Sequence, residues 1–242
     1  MNLSTAQKLI ALNRDFYQNF GADFSATRQK LQPGVSRILE TLKGDESILD
    51  LGCGNGQFAR ALAERHHRAS YLGLDFSRPL LADAERQPEG FLARFIEADL
   101  TQLSAFSFQQ SAALETEHWS LITCFATLHH IPSKELRLQF LQTVRKLLAP
   151  QGRFILSNWQ FGNSAKLRER IQRWSRVELS DADVDEGDAL LDWRRGGEGL
   201  RYVHQFSERE LRELAETCGF RVVESFLSDG ESGDLGLYQI WE

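Results

Sequence analysis

Apolar positions along this chain follow two alternating periods. Short, nearly continuous apolar runs fall at residues 47–51, 71–75, 94–98, 120–125 and 152–158. Between them lie segments whose apolar positions recur three or four apart, at 57–65, 79–86 and 134–148, with a loop and weak helix over 101–117. Unbroken short runs suit strands buried on both faces, and the longer period suits helices that cover them. The rhythm predicts an α/β fold: a doubly wound, mostly parallel sheet with helices on both faces.

The two ends extend this frame. Leu9, Leu12 and Phe16 predict one or two helices over 3–31, and Pro33 opens a stripe of Val35, Ile38, Leu39 and Leu42. Residues 146–152 form a helix end, a turn and a strand entry. Near the C-terminus, Ser207 and Glu210 are spaced as a capping box for a helix over 208–218, closed by Gly219. Runs at 221–227 and 235–241 then predict a C-terminal antiparallel hairpin, which brings the sheet to seven strands.

Composition narrows the class. A chain of 242 residues can bury one full α/β core, and 42% hydrophobic content is ordinary for a globular protein. No apolar run approaches the ~18 residues of a membrane span, and the first residues lack the basic and apolar stretches of a signal peptide. Cys53, Cys124 and Cys218 are scattered and form no metal-ligand pair. Free thiols and a cytoplasmic location are the expectation, with no metal. The net charge of −6 falls entirely in residues 151–242. There a basic stretch, 164–176 with Lys166, Arg168, Arg170, Arg173 and Arg176, precedes an acidic one at 178–192. Such alternation usually marks solvated faces, and the basic stretch is also a candidate contact for an anionic partner.

The chemistry concentrates after the first strand. Asp50, Gly52, Cys53, Gly54, Asn55 and Gly56 place an acid and three alternate glycines at a strand-to-helix junction. Glycines there let the backbone turn through left-handed angles and let a ligand approach the main chain. The third glycine comes one position early for a dinucleotide fingerprint, and no Gly-Lys-Ser or Gly-Lys-Thr follows. Asp75 and Asp99 close the next two strands. In an open parallel sheet these ends converge on one crevice, where three carboxylates repel a pyrophosphate and suit a cationic ligand with a ribose diol.

With these residues the chain resembles the class I S-adenosylmethionine-dependent methyltransferases. The resemblance implies a Rossmann-like fold with S-adenosylmethionine as cofactor. It places Asp50, Gly52, Cys53, Gly54 and Gly56 along the methionyl and ribose part, with Phe125 on the same wall. Asp75 would accept from the ribose hydroxyls, Phe76 would lie beside the adenine, and Asp99 and Leu100 would meet the adenine edge. It also divides the chain: a helical lid at 1–34, the cofactor core at 35–159, a substrate-side insertion at 160–206, and a helix and hairpin at 207–242 completing one domain.

Further stretches sharpen the likeness. Phe24-Ser25-Ala26-Thr27-Arg28, the segment ending Leu190-Leu191-Asp192-Trp193, and Arg201-Tyr202-Val203-His204 resemble the tRNA wobble-uridine methyltransferases, which esterify 5-carboxymethyluridine. Asp192, in place of a proline, and the strand end Leu156-Ser157-Asn158-Trp159 depart from that family's pattern. The resemblance implies a tRNA acceptor and admits a small activating subunit. It makes Arg28 and Arg201 candidates to grip a carboxylate or phosphate, with Trp159, Trp193, Tyr202 and His204 shaping a base pocket. His129 and His130, just past the fourth strand, are candidates to position the acceptor. The alternatives are a small-molecule O-methyltransferase and a non-catalytic cofactor-binding scaffold.

Overall fold

The computed structural model describes residues 1–105 and 118–242. Most of the loop and weak helix expected over 101–117 therefore lies outside the described residues; what precedes it is a 3-10 turn at Leu100–Gln102. Seven strands form the main sheet: β1 (Ile48–Leu51), β2 (Tyr71–Asp75), β3 (Ala93–Glu97), β4 (Trp119–Phe125), β5 (Leu148–Trp159), β9 (Val222–Ser228) and β10 (Gly236–Trp241), in the order β3-β2-β1-β4-β5-β10-β9. β1 pairs in parallel with both β2 and β4, and β10 runs antiparallel between β5 and β9. The doubly wound sheet and the closing hairpin are as the apolar pattern predicts. β5 begins earlier than its apolar run. A register shift opposite Trp119 and Leu121 absorbs the turn around Pro150, so that Leu148 still pairs with Trp119.

Every β1 residue is buried, which its unbroken apolar run requires. Leu49 and Leu51 join the core under α5 (Lys134–Leu147) and α7 (Glu208–Thr217), whereas Ile48 packs with α2 (Pro33–Glu40) and α3 (Gln57–Glu64). Alternation puts Asp50 on the second face, against Tyr71. α4 (Arg78–Ala84) follows β2. A single helix, α1 (Leu3–Thr27), accounts for the N-terminal periodicity, with the Asn2 side chain accepting from Thr5 N at 2.8 Å.

The region after β5 contains elements that the sequence pattern did not resolve. A short helix α6 (Ala165–Arg168) leads to a three-stranded antiparallel sheet of β6 (Ile171–Gln172), β7 (Asp188–Trp193) and β8 (Gly199–His204). β6 is two residues long, and β7 carries Asp188 and Asp192 among its apolar positions, so the period of this small sheet was masked. α1 covers the exposed edge of β8: the Asn13 amide accepts from Tyr202 N at 2.8 Å and donates to Tyr202 O at 3.1 Å.

One face of this sheet is fastened to the core by a buried ionic cluster. Asp188 Oδ1 accepts from Tyr202 Oη at 2.7 Å and from His204 Nδ1 at 2.7 Å, and Arg137 of α5 lies 3.5 Å away. His204 Nε2 faces Glu210, which also meets Arg137. Burial works against a charge on His204, but its bonds to Asp188 and Glu210 outweigh that and raise its pKa. The expected substrate role of His204 is thereby corrected, and so is that of Tyr202: both side chains are buried in this cluster, away from any cavity wall. The capping box is also only half formed. Ser207 Oγ accepts from Glu210 N, while the Glu210 carboxylate turns to His204.

Candidate active site

A cavity of about 900 Å³ opens at the C-terminal ends of β1, β2, β4 and β5, roofed by α1 and flanked by the small sheet. Asp50, Gly52, Cys53, Gly54, Asp75, Phe76, Asp99, Leu100, Phe125, His129, His130, Arg28, Trp159 and Arg201 all lie in its wall. Gly56 does not; it turns the chain into α3 at a φ of 74°.

The first end of the cavity is acidic. Asp50 accepts from Tyr71 Oη at 2.5 Å and Thr123 Oγ1 at 2.8 Å, and burial raises its pKa to about 6. Asp75 accepts from Gly54 N at 2.9 Å and Ser77 N at 2.8 Å; burial lifts it to about 6 as well, against those backbone donors. Each carboxylate oxygen keeps a free lone pair, so Asp75 can still accept from a diol. Asp99 is more heavily used, by Thr101 N and Oγ1 and by Arg14 at 2.5 Å. An adenine amine would have to share it.

The glycine loop fits a ligand lying against it. Gly52 has a φ of 82°, and a Cβ there would fall 2.1 Å from Thr127 Oγ1. Gly54 also has a positive φ, 54°, but a Cβ there would meet nothing within 4 Å. Its main chain borders open space. Two buried acids beside an open glycine backbone suit a bound cation with a ribose, so the residues present fit S-adenosylmethionine.

The second end carries the opposite charge. Arg201 is 4% exposed, has no carboxylate partner among the described residues, and its Nε makes no hydrogen bond. Its guanidinium sits among four aromatic rings, with centroids 4.7 Å (Trp159), 5.4 Å (Phe16), 5.8 Å (Trp193) and 5.9 Å (Phe24) away. Arg28 lies over Phe24 at 5.0 Å; burial and the neighbouring Arg201 charge lower its pKa. A buried cation without a counter-ion is costly, and an anionic ligand would offset that cost.

The two histidines are neutral. His130 Nδ1 donates to Tyr202 O at 3.1 Å, so its Nε2 accepts from the Tyr17 hydroxyl at 3.0 Å. Burial, with Arg201 nearby, pushes His130 down to about 3. His129 Nδ1 accepts from Trp159 N at 3.3 Å, and burial, His130 and Arg201 hold it well below its usual range. Burial raises the Tyr17 phenol. A general base works best with a pKa near the working pH, and none of His129, His130 and Tyr17 has one.

Comparison with known proteins bears on the family and the fold. Residues 24–225 match the family model described as a methyltransferase domain. The chain belongs to that family. It is an S-adenosylmethionine-dependent methyltransferase. It is 28% identical over 210 residues to a putative methyltransferase of Encephalitozoon cuniculi, covering 86% of this chain and 87% of that one. It is 24% identical over 171 residues to the mouse tRNA (carboxymethyluridine(34)-5-O)-methyltransferase ALKBH8, covering 69% of this chain but only 23% of the larger enzyme. Among solved structures, the DhpI-SAM-HEP complex superposes with a TM-score of 0.68 at 20% identity, over 97% of each chain.

Sequence reasoning missed part of this methyltransferase's site. Tyr17 was not singled out, and neither were Phe16 and Phe24 as walls of a cage. Their signal was present: Phe16, Phe20 and Phe24 stand four apart on one helical face. The buried pair Arg137 and Asp188 gave no comparable sign.

Proposed function

We propose that this methyltransferase esterifies a carboxylate, that of a carboxymethyl group on a wobble uridine in tRNA. The observation that carries the reading is the buried Arg201, with no counter-ion among the described residues, beside Arg28. The name of the mouse relative describes the same chemistry, and the resemblance in residues 24–28 and 201–204 supports it.

When bound, S-adenosylmethionine supplies a sulfonium methyl group that an oxygen nucleophile takes by in-line displacement. Asp50 and Asp75 hold the cationic donor and its ribose. Arg28 and Arg201 orient the acceptor carboxylate by paired donors, while Trp159 and Trp193 shape the space around it. His130 and Tyr17 stay neutral and fix the wall. No proton needs to move, because a carboxylate arrives already ionised, and this accords with a site lacking a base. The helical segment 1–34 and the insertion 160–206 close over the acceptor.

The test is incubation with methyl-labelled S-adenosylmethionine and either total tRNA or a pool of small carboxylic acids. The reading predicts label in tRNA that mild alkali releases as methanol, the signature of an ester. Alkali-stable label in tRNA, or label confined to the small acids, would overturn it.

A further inference from the structure

The same cavity carries a second, outer set of cations. Lys30, Lys166 and Arg195 are exposed at its walls and Arg170 is half-buried there. They come from three places in the fold: the end of α1, the α6 region and the turn after β7. None of the four has a carboxylate partner among the described residues, whereas the neighbouring Arg194 is held by Asp192 at 2.8 Å. The protein as a whole is acidic, at −6, and the deficit lies in the half that supplies three of these cations. Unneutralised cations converging on one opening in an acidic protein form a local polyanion contact, because the summed field there opposes that of the whole.

Among the described residues, five acids line the cavity, and Asp50, Asp75 and Asp99 belong to the cofactor end. Asp229 is tied to Gly34 N at 2.9 Å and to Tyr238 Oη at 2.6 Å. Glu231, on the same turn, is exposed. These four side chains, Lys30, Lys166, Arg170 and Arg195, line the same cavity as Arg28 and Arg201, so a nucleotide held by those two would bring its flanking phosphates toward them. Single-stranded loops present bases in this way.

We propose that Lys30, Lys166, Arg170 and Arg195 form a phosphate track that holds the backbone of a single-stranded RNA loop on both sides of the acceptor nucleotide. The proposal rests on the reading above for its acceptor, and adds where the strand runs. These four residues leave the chemistry alone and supply the difference between a free nucleoside and the same nucleoside in RNA.

The experiment compares wild type with K30Q/K166Q/R170Q/R195Q, using an anticodon-stem-loop RNA and the free nucleoside, both carrying 5-carboxymethyluridine. RNA affinity is followed by fluorescence anisotropy across a salt series, with S-adenosylhomocysteine present. Each phosphate contact on a single strand contributes about −0.7 to the slope of log affinity against log salt. The quadruple variant should flatten the wild-type slope by about 2–3 and weaken RNA binding on the order of tenfold at physiological salt. Its turnover of the nucleoside should stay at the wild-type level. E231Q should leave RNA binding equal to wild type or tighter. An unchanged slope, or an equal loss on nucleoside and RNA, would overturn the track. The binding arm needs no turnover, so wild-type inactivity toward both acceptors would refute the carboxylate reading alone and leave the slope to judge the track.

Discussion

The two ends of one cavity solve opposite electrostatic problems with different materials. At the cofactor end, Asp50 and Asp75 are buried but satisfied, each by two hydrogen bonds from the protein itself. At the end proposed for the acceptor, Arg201 is buried with no counter-ion among the described residues, wrapped in aromatic rings instead. The first arrangement offsets part of its burial cost internally, although burial still raises both carboxylates to about 6. The second lacks even that, and on the carboxylate reading proposed above an anionic acceptor would supply the missing counter-charge. The contrast teaches that charge polarity, more than shape, assigns the two halves of this cavity.

Substitutions can break the comparison one end at a time. The largest expected effect on catalysis is at Arg201. R201Q should lower kcat/KM for a carboxylate acceptor on the order of 10²-fold, because a charge-assisted pair is lost in a dry site. Cofactor affinity should not change, and the melting temperature should hold or rise, since a buried unpaired charge is removed. A melting temperature several degrees lower would show that Arg201 is part of the scaffold instead.

A smaller effect belongs to the acidic end. Asp75→Ala should weaken S-adenosylmethionine binding by about 1–3 kcal/mol, measured by calorimetry, with acceptor affinity intact. Both Asp50 and Asp75 titrate at about 6. Their carboxylates are charged only above that value, so cofactor affinity should climb as pH rises through 6 and level off above about 7. The acceptor end should contribute no inflection near neutrality, since His129 and His130 are held low and Tyr17 high. A kcat rising through pH 7–8 would reveal a base that this account lacks.

The smallest catalytic effect is expected at His204. H204N should reduce stability by about 2 kcal/mol through two lost hydrogen bonds, lowering the melting temperature by about 4–8 °C, with kcat nearly unchanged. The pKa of His204 is raised in the fold, so its contribution is complete below the ordinary histidine range and fades as pH climbs through the folded value. Thermal melts of wild type and H204N should therefore converge at alkaline pH. A constant gap would contradict the assignment.

Legibility in the sequence followed the range of the interactions. The strands, the glycine turn and the strand-end acids are local features, set by backbone angles and apolar period, so Asp50, Gly52, Gly54 and Asp75 could be placed from short stretches. The end proposed for the acceptor is assembled from distant segments: Phe16 and Phe24 on α1, Trp159 at the end of β5, Trp193 and Arg201 on the small sheet. Family likeness pointed to Arg28, Arg201 and Trp159, but nothing local disclosed the cage. The error at His204 has the same origin. Alternation along β8 sends Arg201 into the cavity and turns Tyr202 and His204 away, and that alternation shows only once the strand and its pairing with β7 are known.

The claim of a cavity divided by charge is tested most directly by calorimetric binding of 5-carboxymethyluridine and its methyl ester to the enzyme loaded with S-adenosylhomocysteine. The two ligands share every atom but the added methyl group and differ by one negative charge. The account predicts that the acid binds at least about tenfold more tightly than the ester, and that R201Q abolishes the difference. Equal affinity of wild type for acid and ester would contradict it.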